Sequence, residues 1–197
     1  MSRKEDVINT ARLLLRTLVL RLPRSWDGKA AILEMKRRND QWRQLEWIGW
    51  YGEMIAKDAL RGSCEIPGRR YGHVVFDAFS LVNWDIKVHP NSQSAAILND
   101  REAIDQSIKE HRYHGLIMLC VDCDYDTDGS FKAWHDELKG GMSEYEVERI
   151  SRGARSRRRK RMASLTDIAI ILLDEKVCSL LGSKQKDWRN ADGSPRR

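Results

Sequence analysis

Long apolar runs, metal-spaced histidines and nucleotide-binding loops are all missing from this 197-residue chain. No stretch approaches the roughly 18 apolar residues of a membrane helix. The N-terminal segment 7–22 is interrupted by Asn9, Arg12, Arg16 and Arg21, so it lacks the unbroken apolar core of a secretory signal. Without such a signal, the four cysteines, Cys64, Cys120, Cys123 and Cys178, are expected to be reduced thiols in the cytoplasm. The Cys120–Cys123 pair has no second Cys or His pair at metal spacing, which argues against structural zinc. His73, His89, His111, His114 and His135 do not share a helix at ligand spacing, and no Ser or Cys stands in a nucleophile elbow. With no phosphate-cradling glycine loop either, neither covalent hydrolysis nor a nucleotide cofactor is expected, and no membrane partner.

Apolar residues make up 41% of the chain and charged ones 32%, with seven Trp and a mean hydropathy of −0.60, the profile of a packed globule. The net charge of +6 is concentrated. Segment 152–161 (RGARSRRRKR) holds seven basic residues and no acid, and removing those seven charges leaves −1 for the rest. Basicity gathered in one place points to a polyanion, so Arg152, Arg155, Arg157, Arg158, Arg159, Lys160 and Arg161 are candidate DNA contacts.

Helical spacing of Val7, Ala11, Leu14, Leu15 and Leu18 predicts a first helix over about 3–22, ended by Pro23. A turn is expected at 26–28. A long helical region follows over about 30–60, which Asn39 and Asp40 can break, and then a loop at 62–68. YGHVVFDAF and VNWDIKV read as an antiparallel hairpin. Asp100 should cap a helix reaching about His111, GLIMLCV (115–121) reads as a buried central strand, and Ser130 opens a helix closed by Gly140 and Gly141. Ser143 and Glu146 form a capping box for another helix, and a last strand covers about 167–173. The order describes one α/β domain over 1–197, a mixed sheet flanked by helices, with a helical N-terminal part at 1–61 and an α/β core at about 45–173.

A hairpin turn centred on Leu81 sets Asp77 opposite Asp85, with Cβ atoms about 5 Å apart. Two carboxylates that close repel unless a proton or cation lies between them, and a divalent ion with hard oxygen ligands is the usual resolution. Lys87, two residues on, shares Asp85's face. Its ammonium can orient a water and stabilise charge developing on a phosphate.

This pattern resembles the PD-(D/E)XK nuclease superfamily, in which an acid on one strand precedes an Asp/Glu-x-Lys triplet on the next. The matching residues are Asp77, then Asp85, Ile86 and Lys87, with Phe76 where the family name has Pro. The resemblance implies a restriction-endonuclease-like fold and one or two Mg²⁺ held by Asp77, Asp85 and the Ile86 carbonyl. It also implies hydrolysis of double-stranded DNA, most like a restriction endonuclease in a restriction-modification system, and a homodimer if both strands are cut symmetrically. Glu53 matches the family's helical acid as a further catalytic ligand, or it pairs with Lys57 four residues on. Alternatives are a junction or repair nuclease, an RNA-directed nuclease and a non-catalytic nucleic-acid-binding protein. The acidic run Asp122, Asp124, Asp126 and Asp128 is a second place for a metal, through Asp122 and Asp124; as a calcium loop it fails, because His135 stands at position twelve.

Overall fold

The computed structural model describes residues 3–94, 96, 98, 100–154 and 158–180. Helix α1 (Arg3–Arg21) buries Val7, Leu14 and Leu18. The chain then forms a short strand, β1 (Ser25–Asp27), in place of the expected turn. Trp26 is the reason: its side chain is 1% exposed, and its backbone pairs with Ala163 of a distant strand. Asp27 accepts a hydrogen bond from the Ala30 amide and caps α2 (Gly28–Arg37). The expected long helix is thus two, α2 and α3 (Trp47–Leu60), with Asn39 and Gln41 at positive φ between them.

The first half of the expected hairpin is also divided. β2 (Arg70–Tyr71) and β3 (Val74–Val75) make a small sheet of their own, and β4 (Ala78–Ser80) pairs with β5 (Val82–Pro90). The β4–β5 register is Ala78↔Trp84, Phe79↔Asn83 and Ser80↔Val82, turning at Leu81 with φ 63°, so the expected centre is the observed one. α4 (Arg101–His111), capped by Asp100, crosses over to β6 (His114–Tyr125), which lies parallel to β5.

α5 (Ser130–Leu138) and α6 (Glu144–Ser151) follow, the latter capped by the Ser143 side chain as its box predicts. β7 (Lys160–Leu173) is much longer than expected, because its first half alternates polar and apolar residues instead of running apolar. That half pairs with both β1 and the far end of β6. α7 (Glu175–Leu180) closes the described chain.

The sheet order β1-β7-β6-β5-β4 puts β6 at its centre, in keeping with its apolar run. Alternation gives β5 two unlike faces. Trp84, Ile86 and Val88 join the main core beneath α1, α2 and α3, which spans both the N-terminal helices and the sheet. Asn83, Asp85 and Lys87 face the other way, towards a second cluster of Phe76, Ile104, Ile108 and Leu173. This is a mixed α/β fold with helices on both faces of its sheet. No helix among the described residues is long and apolar enough to cross a membrane.

Candidate active site

β4 stops pairing at Trp84, which leaves the next stretch of β5 without a strand on that side. Asp77 fills the gap: its Oδ2 accepts the Ile86 amide proton at 2.7 Å. The other oxygen, Oδ1, lies 2.8 Å from Lys57 Nζ, and that same ammonium lies 2.5 Å from Glu53 Oε1. On the inner face of β5, Lys87 Nζ lies 3.1 Å from Asp85 Oδ2. Asp77 and Asp85 are 8% and 2% exposed.

The three acids differ in proton affinity. Burial opposes charge on Asp77, yet Lys57 and the Ile86 amide outweigh it and hold the group below the ordinary carboxylate range. Asp85 is pushed up to about 7, chiefly by burial, with the Asp77 charge adding to it and Lys87 opposing. The neighbouring Asp77 carboxylate, held in its charged form, favours the protonated form of Asp85. Glu53 is raised by burial and by Asp77, against the pull of Lys57. Side chains of Asp77, Asp85, Lys87 and Glu53 are therefore brought together, along with the backbone of Ile86. Glu53 makes the Lys57 pair and is linked to Asp77 through that shared ammonium.

Sequence reasoning does not foresee the bridging role of Lys57. Nor does it foresee a polar chain running under the site. Asn83 Nδ2 donates to Tyr71 Oη at 3.3 Å and to Ser107 Oγ at 2.9 Å, and Ser107 Oγ lies 3.2 Å from His114 Nδ1. With Ser107 accepting from Asn83, its own proton goes to His114 Nδ1, and the neutral ring carries its hydrogen on Nε2. His114 Nε2 is buried with no hydrogen-bond partner among the described residues. Burial, then the Lys87 charge, lower its pKa to about 4. The one signal in the sequence is a polar residue, Asn83, inside the apolar strand VNWDIKV.

Among the described residues, no three His, Cys, Asp or Glu side chains are arranged to hold a metal ion by themselves. Lys57 takes the position between Glu53 and Asp77 that a cation would otherwise fill. What remains is Asp77, Asp85 and the Ile86 carbonyl. Mg²⁺ commonly takes one or two carboxylates and fills its other positions with water and phosphate oxygens. Two buried carboxyl groups, one of them holding a proton that relieves their repulsion, fit that demand, because a divalent ion can replace the proton.

The other candidates are elsewhere. In the acidic run, Asp126 accepts the Lys132 amide proton and Asp128 that of Ser130, so these two serve the start of α5, while Asp122, on β6, accepts from Asn91 Nδ2 just after β5. In the basic run, Arg152, Arg158 and Arg161 are exposed and Lys160 pairs with Glu46. Arg159 is turned inward at 5% exposure against Glu146 and is not placed to touch a partner. Arg155 and Arg157 lie outside the described residues. Comparison with known protein families, curated proteins and solved structures found no match to this chain.

Proposed function

We propose that this protein is a Mg²⁺-dependent endonuclease that hydrolyses phosphodiester bonds in double-stranded DNA, in the manner of a restriction endonuclease. The observation that carries the reading is a pair of buried carboxylates, Asp77 on the Ile86 amide and Asp85 beside Lys87, on the stretch of β5 that β4 leaves uncovered. The succession of α3, the β4–β5 hairpin, α4 and a parallel β6 supports it, being the order the nuclease resemblance implies.

Asp77, Asp85 and the Ile86 carbonyl would hold the ion. A bound divalent ion supplies Lewis-acid polarisation of the scissile phosphate and acidifies a water. Lys57 and the Ile86 amide fix the orientation of the Asp77 carboxylate, so the first ligand is in place beforehand. Asp85 would have to give up its proton to serve as a ligand. Lys87 sets a positive charge where negative charge grows on phosphorus oxygens during attack. Water adds to phosphorus and the 3′ oxygen leaves with a proton, giving a 5′ phosphate. Glu53 would add a ligand only if its pairing with Lys57 were broken. Arg152, Arg158 and Arg161 supply backbone contacts, and symmetric cutting of both strands calls for a homodimer. Cys64, Cys120 and Cys123 are free thiols, which suits the reducing cytoplasm.

One observation favours a second reading, a nucleic-acid-binding protein without catalysis: Lys57 and Lys87 already pair with the acids from within the fold. Incubation of plasmid or phage DNA with Mg²⁺ separates the two. Wild type should give discrete fragments and Lys87→Ala none. DNA left intact by wild type with every divalent ion tried removes the nuclease reading.

A further inference from the structure

Between the loop before α3, the loop after α5 and the first turn of α6 lies a groove of about 760 Å³, with Arg43, Lys139, Tyr145, Glu146 and Arg149 among its lining. Behind it is a cluster of charge that does not balance. Glu146 is met by Lys132 at 3.2 Å, Arg149 at 3.4 Å and Arg159 at 3.2 Å. Asp136 is met by Lys132 and by Lys139, both at 2.7 Å. Four cations thus surround two carboxylates, and Arg43, which donates to the Lys139 carbonyl, adds a fifth at the rim.

These cations are largely withdrawn from water. Side-chain exposure is 10% for Lys139, 16% for Arg149 and 4% for Arg159, and Arg159 Nε has no hydrogen-bond partner among the described residues. Of the neighbouring acids, Glu148 pairs with Arg152, Glu46 with Lys160, and Glu137 and Glu144 stand in solvent, while Asp126, buried against the backbone of Lys132 and Arg159, brings the count to three carboxylates against four cations, with Arg43 beyond them. Half-buried like charges repel one another strongly, and an anion that enters the groove relieves that repulsion. Bidentate guanidinium groups and a lysine suit phosphate oxygens.

We infer that this groove grips the phosphate backbone of a nucleic acid, with Arg43, Lys139 and Arg149 as its contacts and Arg159 as the buried charge behind them. The inference rests on the nuclease reading for its partner, and it moves the principal phosphate contact from the basic run to the groove. Arg149 Nη1 reaches the Ala154 carbonyl, so the start of the basic run lies at the groove's edge and extends the same positive surface. Tyr145, 67% exposed, offers a ring for base or sugar contact at the mouth. Lys87 is level with Met118 on β6, and the cluster lies near Tyr125, which pairs with Lys160. Seven residues of strand, at about 3.3 Å each, separate the two places by about 23 Å along β6.

The test is fluorescence anisotropy with a labelled DNA duplex in EDTA, where no cleavage occurs, over a series of salt concentrations. Arg43→Gln and Arg149→Gln should each weaken binding and make the plot of log K against log salt shallower by about 0.9 for every phosphate that is no longer neutralised. Arg12→Gln, on the exposed face of α1, should change neither. Arg43 is exposed, so its variant reports even if loss of Arg149 disturbs the fold. Unchanged affinity and slope in Arg43→Gln and Arg149→Gln overturn the groove while leaving cleavage by wild type intact. Groove-dependent binding without cleavage in Mg²⁺ overturns the nuclease and keeps the groove. Absence of binding by wild type at low salt, or equal displacement by poly-glutamate, overturns the assignment to nucleic acid.

Discussion

Replacing Lys57 with methionine keeps the side chain's apolar stem but removes the charge shared by Glu53 and Asp77. The ammonium lies 2.5 Å from Glu53 and 2.8 Å from Asp77, and Asp77's side chain is only 10% exposed. Removing one partner of a buried ion pair typically costs about 3–5 kcal/mol, because the other charge is left unneutralised. Lys57 and Glu53 retain 27% exposure, so the cost here belongs at the lower end, about 3 kcal/mol at pH 8. Without the lysine, the two acids raise each other's proton affinity further. A carboxyl whose folded pKa lies above its unfolded value, about 4.3 for Glu, destabilises the fold as pH rises through that interval. Acidification relieves the penalty, so urea unfolding of Lys57→Met and wild type should show a deficit near 3 kcal/mol at pH 8 that falls to less than half at pH 5. Mg²⁺ should restore more stability to the variant than to wild type, since the ion can take the place of the ammonium. A deficit below about 0.5 kcal/mol, or one equal at both pH values, refutes this account of the bridge.

Asp85, raised to about 7 in the fold against an ordinary value of 3.8, should make wild type lose stability as pH climbs from 4 to 7 in EDTA. Asp85→Asn should flatten that curve and be more stable than wild type at pH 8, by on the order of a few kcal/mol in urea unfolding; a parallel pH curve contradicts it. ¹⁵N spectra should show His114 neutral with its hydrogen on Nε2 down to about pH 5, its pKa being lowered to about 4. Because that value lies below the unfolded one near 6.5, this residue costs stability as pH falls between the two; a titration midpoint at 6 or above contradicts the assignment. Gly115→Ala would drive a methyl into the Trp84 ring across the β5–β6 pairing. It should cost about 2 kcal/mol or more in urea unfolding, and a loss within about 0.5 kcal/mol would show that Trp84 can move aside.

Where the sequence has one dominant period it is legible. The 3–4 spacing of α1, the Asp100 cap, the apolar run of β6 and the turn at Leu81 are all found where patterning sets them. Sequence and structure part where pairing, not local pattern, decides. Trp26 reads as part of a turn because three residues cannot show a strand period, and only Ala163 makes them one. The first half of β7 looks like a basic loop, since Arg161, Ser164 and Thr166 point outwards between Ala163 and Leu165. At the site, the Asp77–Asp85 juxtaposition follows from arithmetic on a hairpin turn. Lys57 is visible only as the i+4 partner of Glu53, because its reach to Asp77 depends on how α3 packs over β5. Arg159 illustrates the limit of reading charge along the chain: six of its basic neighbours say surface, but Glu146 and Asp136 draw it inside.

The central claim is that Asp77 and Asp85 form a divalent-cation site whose resident proton an ion can displace. Calorimetric titration of Mg²⁺, and of Mn²⁺, into the full chain at two pH values tests it most directly. Wild type should bind with release of a proton, more tightly at pH 8 than at pH 6, and Asp85→Asn should give no binding heat. Identical heats from wild type and Asp85→Asn, or none from either, contradict it.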